Sequence, residues 1–174
     1  MTSVGGVFSV LPTPFDSTGA IDGERLNRVI DLFLAGGVNG FTALGVTGEV
    51  SRLTEPERDA VLDIVITHVA SRVPVVAGTT AEGLRTCVES THRAKQAGAS
   101  AAMISPPRMP KLNSDAAHPA LRRGGGAVDL PVVVQDYPPI SGYAIGLLSE
   151  GTAGTAAGSA RVECGQSGSK DRNS

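Results

Sequence analysis

Tryptophan is absent from this 174-residue chain, and two Tyr and four Phe are its only other aromatics. Its core must therefore come from aliphatic side chains, mainly Ala, Val, Leu and Ile. Cysteine is as scarce: Cys87 and Cys164 are too few and too far apart for a disulfide framework. Neither stands at metal-ligand spacing from His68, His92 or His118, so a reducing compartment is the simpler expectation. Charge is sparse and balanced, 15 Lys plus Arg against 17 Asp plus Glu, a net of −2. That leaves no basic surplus to attract nucleic acid or an anionic membrane. No window approaches the roughly 20 apolar residues of a membrane span. Met1 to Pro12 has no basic segment followed by an uninterrupted apolar one, and the cytoplasm is the expected location.

What is present is rhythm. From residue 6 to about 113, short β-branched runs alternate with amphipathic stretches, the pattern of βα units with parallel strands. Gly6 to Leu11 reads as a strand. Asp22 can cap a helix whose Leu26, Val29, Ile30, Phe33 and Leu34 follow helical spacing up to the stop at Gly36-Gly37. Val38 to Leu44 is a second strand. Thr54-Glu55-Pro56-Glu57 has the form of a capping box opening a helix to about Ser71, with Val61, Ile64, Val65 and Val69 as its core face. Val73 to Gly78, Ser100 to Ser105 and Leu130 to Gln135 read as three more strands, with a helix from Leu84 to Gln96 closed by Gly98. The strand starts lie about 30 residues apart, the length of one βα unit. No G-x-G-x-x-G follows the first strand, so dinucleotide binding has no support. Periodicity alone does not choose between an open sheet and part of a barrel, and a complete eight-unit barrel typically needs about 250 residues.

Two stretches break the rhythm. Asp115 to Ala127 occupies a helix slot, yet Pro119 and Gly124 to Gly126 oppose a helix. Tyr143 to Ser174 is dominated by Gly, Ala, Ser and Thr, and after Leu148 its only larger aliphatic residue is Val162. Such a segment cannot offset its ordering entropy, which predicts a domain over 1–142 and a disordered tail over 143–174. A reading frame displaced in both places would explain both breaks.

Several motifs in order resemble one family. The stretches GVFSVLPTPF, IDGERL, GVNGFTALGVTGEVSRLTEPER, VPVVAGTT, AKQAGASAAMISPP and LPVVVQDYPPISG are similar to successive strands and loops of the dihydrodipicolinate synthase and N-acetylneuraminate lyase family. The most specific is Gly45-Val46-Thr47-Gly48-Glu49, where that family has G-T-T-G-E, followed by its L-T-x-x-E-R helix start. The resemblance implies the first five or so units of a (β/α)8 TIM barrel, and a Schiff-base, class I aldolase-type lyase acting on pyruvate or a related 2-oxo acid. It implies no cofactor, and homo-oligomers among full-length relatives. The motifs sit at C-terminal strand ends, where a parallel barrel assembles its site.

Carried over residue by residue, Thr47 matches the carboxylate-binding threonine and Gly48 keeps the loop. Val46 replaces the threonine of the proton relay, and Gln135 stands in place of the catalytic tyrosine. Tyr137, two residues on, is the candidate substitute. Arg108, after the fourth strand, is a candidate carboxylate ligand. The family's lysine, on its sixth strand, attacks the ketone of the acid and must be partly neutral to do so. One unit beyond Gln135 falls near Cys164, in a run that does not read as a strand, and Lys170 lies in a polar stretch with nothing to bury it. The expectation is therefore a family member inactive in this form, or a non-catalytic barrel fragment that binds a small acid or a partner subunit. Five units would leave apolar inner faces exposed. His68 reads as a helix-surface residue and Cys87 as packing.

Overall fold

The computed structural model describes residues 6–105 and 128–135, and the backbone of 136 and 160–163. Six strands, β1 (Phe8–Val10), β2 (Gly40–Ala43), β3 (Val75–Gly78), β4 (Ala101–Ile104), β5 (Val132–Asp136) and β6 (Ala160–Glu163), lie side by side in chain order. Every neighbouring pair is parallel. Helices α1 (Gly23–Ala35), α2 (Glu55–Val69) and α3 (Leu84–Ala97) fill the first three connections. This order decides what periodicity left open. A doubly wound sheet reverses its strand order at a switch point, whereas strands in unbroken sequence carry successive crossovers to one face, as in the wall of a (β/α)8 barrel.

The helices form where local chemistry closes their ends. Asp22 accepts the Arg25 N–H at 2.9 Å and starts α1, whose Leu26 and Ile30 are buried. At the start of α2 the Glu57 carboxylate accepts both the backbone N–H and the hydroxyl of Thr54, each at 2.7 Å. These bonds hold its carboxyl below the ordinary range. The buried face of α2 is Val61, Leu62, Val65 and Val69, while Ile64 is half-buried and lies toward Gly23 of α1.

Strand alternation separates two faces. Phe41, Ala43, Val75 and Ala77 pack with Leu26, Ile30, Val61, Leu62, Val65 and Val69 in the core between sheet and helices. On the opposite face Val76, Ala101, Met103 and Val133 form a second cluster with Phe8. This narrows the expectation of exposed inner faces: those four side chains are 6% exposed or less, while Val10 at the end of β1 is 37% exposed.

A third cluster joins Cys87 of α3 to Ile104 and Val132. Burial pushes the Cys87 thiol up and disfavours its nucleophilic thiolate. Cys87 is therefore expected to resist a thiol-modifying reagent at neutral pH until the chain is denatured, as peptide-mapping mass spectrometry would read.

β6 corrects one point of the sequence reading, that the run around Val162 is no strand. Ala160–Glu163 pairs with β5, Gln135 opposite Val162, and its apolar-polar alternation, Ala-Arg-Val-Glu, is only four residues long. A ladder needs only backbone N–H and C=O groups, which the outer edge of β5 offers to any non-proline segment. The rest of that predicted tail, and the irregular stretch Asp115 to Ala127, lie outside the described residues.

Candidate functional site

The loop after β2 is built to be rigid. Leu44 and Glu49 bracket it, both with positive φ (57° and 55°), a conformation that non-glycine residues hold only when their surroundings impose it. Within it the Gly48 N–H donates to the Gly45 carbonyl and the Glu49 N–H to the Val46 carbonyl, both at 3.0 Å. From the loop after β1 the buried Thr13 hydroxyl donates to the Gly48 carbonyl at 2.7 Å. Gly48 serves by its missing side chain, since a Cβ there would lie 3.1 Å from the Leu11 carbonyl oxygen. Beyond the loop, Arg58 Nε donates to the Leu53 carbonyl at 3.1 Å, and the Arg52 guanidinium pairs with Glu49 at 2.6 Å. The L-T-x-x-E-R run thus ties down the loop's far end with its Leu, Thr, Glu and Arg together.

With both of those N–H groups turned inward, Thr47 is left exposed at the mouth of the strands, and among the described residues no side chain or backbone group engages its hydroxyl. A hydroxyl in that position is a donor for an incoming anion. Val46 beside it is 52% exposed and offers methyl groups instead.

Across the strand ends runs a polar chain. The Ser105 N–H donates to Thr80 Oγ1 and the Ser105 hydroxyl to Gln135 Oε1, each at 2.9 Å. Gln135 follows Val133 by two residues and shares the inner face with it. It therefore lies on the inner face at the C-terminal strand ends, and its amide has no proton to relay near neutral pH.

Of the residues singled out from sequence, Val46, Thr47 and Gly48 follow the C-terminal end of β2, and Gln135 lies at that of β5, with β3 and β4 between them in the sheet. Arg108 and Tyr137 lie outside the described residues, as do Lys111, His118, Cys164 and Lys170. Lys95 is exposed and pairs with Asp129 at 3.4 Å, and His68 contacts Asp31 at 2.9 Å between α1 and α2. Sequence reasoning missed Thr13, Thr80 and Ser105. Thr13 stood in the T-P-F piece and could have been found there; Thr80 and Ser105 carry no signal beyond following a strand. Among the described residues no helix is long and apolar enough to cross a membrane.

Comparison with known proteins agrees with this geometry. The model of the Dihydrodipicolinate synthetase family matches residues 3–148. The 4-hydroxy-tetrahydrodipicolinate synthase of Xylella fastidiosa is 38% identical over 143 residues, 80% of this chain and 46% of that protein. The enzyme of the same name from Pseudomonas savastanoi pv. phaseolicola is 35% identical over 135 residues, 78% and 46% of the two. Among solved structures, YagE, a prophage protein of the dihydrodipicolinic acid synthase family from E. coli K12 in complex with pyruvate, superposes with a TM-score of 0.76. It is 31% identical, over 80% of this chain and 47% of that one. Dihydrodipicolinate synthase from Aquifex aeolicus gives 0.75 at 28% identity, over 80% and 47%. The chain spans about half the length of the curated relatives it matches.

Proposed function

The chain belongs to the dihydrodipicolinate synthetase family, and from that premise we propose that it holds a 2-oxo acid, pyruvate or a close relative, by its carboxylate and without covalent attachment. Thr47 donates its hydroxyl to the carboxylate, Gly48 and Thr13 keep the loop closed behind it, and Gln135 faces the same space from β5. Residues 1–142 supply this ligand-holding unit. The segment after them adds β6 to the sheet, and the described residues of that strand include no lysine.

The observation that carries the reading is the composition of β6. Set in register beside β5, it consists of Ala160, Arg161, Val162 and Glu163. The family resemblance assigns the Schiff-base lysine to the sixth strand, and an arginine cannot replace it, because its guanidinium stays protonated at any working pH. The altered relay positions Val46 and Gln135 point the same way. A lyase that forms an imine with pyruvate is the activity the family implies; binding without turnover is the one these residues support.

Calorimetric titration with pyruvate tests the reading. Saturable binding is expected, and Thr47→Val is expected to weaken it roughly 10- to 100-fold, the worth of one hydrogen bond to a charged group. Equal affinity in the variant would remove Thr47 from the site.

A further inference from the structure

Two large apolar side chains stand exposed at the same strand ends, Val10 at 37% and Val46 at 52%. Val10 closes β1 two residues after Phe8, so it shares the inner face with the Phe8, Val76, Met103 cluster. The root of the loop is apolar as well. A Cβ on Gly45 would lie 2.8 Å from Val10 Cγ1, 3.7 Å from Thr42 Cγ2 and 4.0 Å from Met103 Cε. Three methyl groups therefore surround the residue from which the Val46-Thr47 pair projects. On the far wall the polar groups of Thr80, Ser105 and Gln135 already engage one another. The near wall offers a ligand only methyl groups beside Thr47, and an alkyl chain would cover the two valines there.

We infer that the acid bound here carries an aliphatic substituent beyond its carbonyl, with Val10 and Val46 as the residues that select it. This rests on the 2-oxo acid reading above and narrows it to 2-oxo acids with unbranched or small branched alkyl chains. Each methylene that moves from water onto apolar side chains tightens binding about three- to fourfold when fully covered.

The test is a calorimetric series on the whole chain with pyruvate, 2-oxobutyrate, 2-oxopentanoate and hydroxypyruvate. The dissociation constant is expected to fall about two- to fourfold per added methylene, with hydroxypyruvate weaker than 2-oxobutyrate. The near-isosteric variants Val10→Thr and Val46→Thr, shown folded by their melting curves, are expected to shrink the gain per methylene. Pyruvate binding with a flat series, with hydroxypyruvate preferred, or with an undiminished gain in both variants would overturn the inference and leave the 2-oxo acid reading standing. Failure of all four acids to bind would overturn both.

Discussion

Phe41→Ala is expected to destabilise the fold by about 3–5 kcal/mol, the loss typical of a fully buried phenylalanine. Phe41 is 0% exposed and lies in the core between β2 and the helices. Its ring stands 6.5 Å from that of Phe33 on α1, tilted by 55°, so truncation removes an aromatic contact as well as buried area. Against a total stability of about 5–15 kcal/mol for an ordinary domain, the variant sits at the edge of unfolding. Urea denaturation followed by circular dichroism measures the loss. Phe41→Leu, which keeps most of the volume, should cost less than about 1.5 kcal/mol if the repacking is easy. A loss below about 1 kcal/mol for the alanine variant would mean that Phe41 does not occupy the core.

Gly78→Ala is the second large effect, and it reaches the site. A Cβ at Gly78 would lie 2.1 Å from the Leu44 carbonyl oxygen and 2.9 Å from its carbonyl carbon. Those atoms are backbone, so the clash cannot be relieved by a rotamer change. Leu44 is also the residue whose positive φ launches the Thr47 loop. Separating β2 from β3 at that point should cost about 1–3 kcal/mol or more, as overpacking does. It should also displace the Thr47 hydroxyl and abolish pyruvate binding, whereas the core variant Phe41→Ala should retain binding in whatever fraction stays folded. A Gly78→Ala protein with parental stability and affinity would contradict the close approach of the two strands.

Much of this was legible from residue patterns. The Asp22 cap, the Thr54-Glu57 pair and the helical spacing of Leu26 and Ile30 each have a local physical cause, and each lies where expected. Strands β2 and β4 end before their apolar runs do, because Leu44 turns left-handed and the Ser105 N–H leaves the ladder for Thr80 Oγ1. The sixth strand was not legible, since a four-residue alternation, Ala160 to Glu163, is too short to stand out from a segment rich in Gly, Ser and Thr. Buried inner faces were likewise hidden, because burial there depends on how neighbouring strands bring Val76, Met103 and Val133 together. The site divides in the same manner. Thr47 and Gln135 could be placed by motif and alternation, but the bond from Thr13 to Gly48 joins residues 35 positions apart, and no local rule anticipates it. The left-handed Leu44 and Glu49 defy propensity altogether, and their conformations are imposed by the loop they bracket.

The central proposal is that this chain holds the carboxylate end of a 2-oxo acid at Thr47 and that β6, Ala160 to Glu163, gives it no lysine to form an imine. Treating the protein with saturating pyruvate and borohydride, then measuring its intact mass, tests this most directly. The prediction is an unchanged mass under conditions where titration shows pyruvate bound. A borohydride-stable pyruvate adduct, mapped by peptide sequencing to Lys95, Lys111 or Lys170, would contradict it.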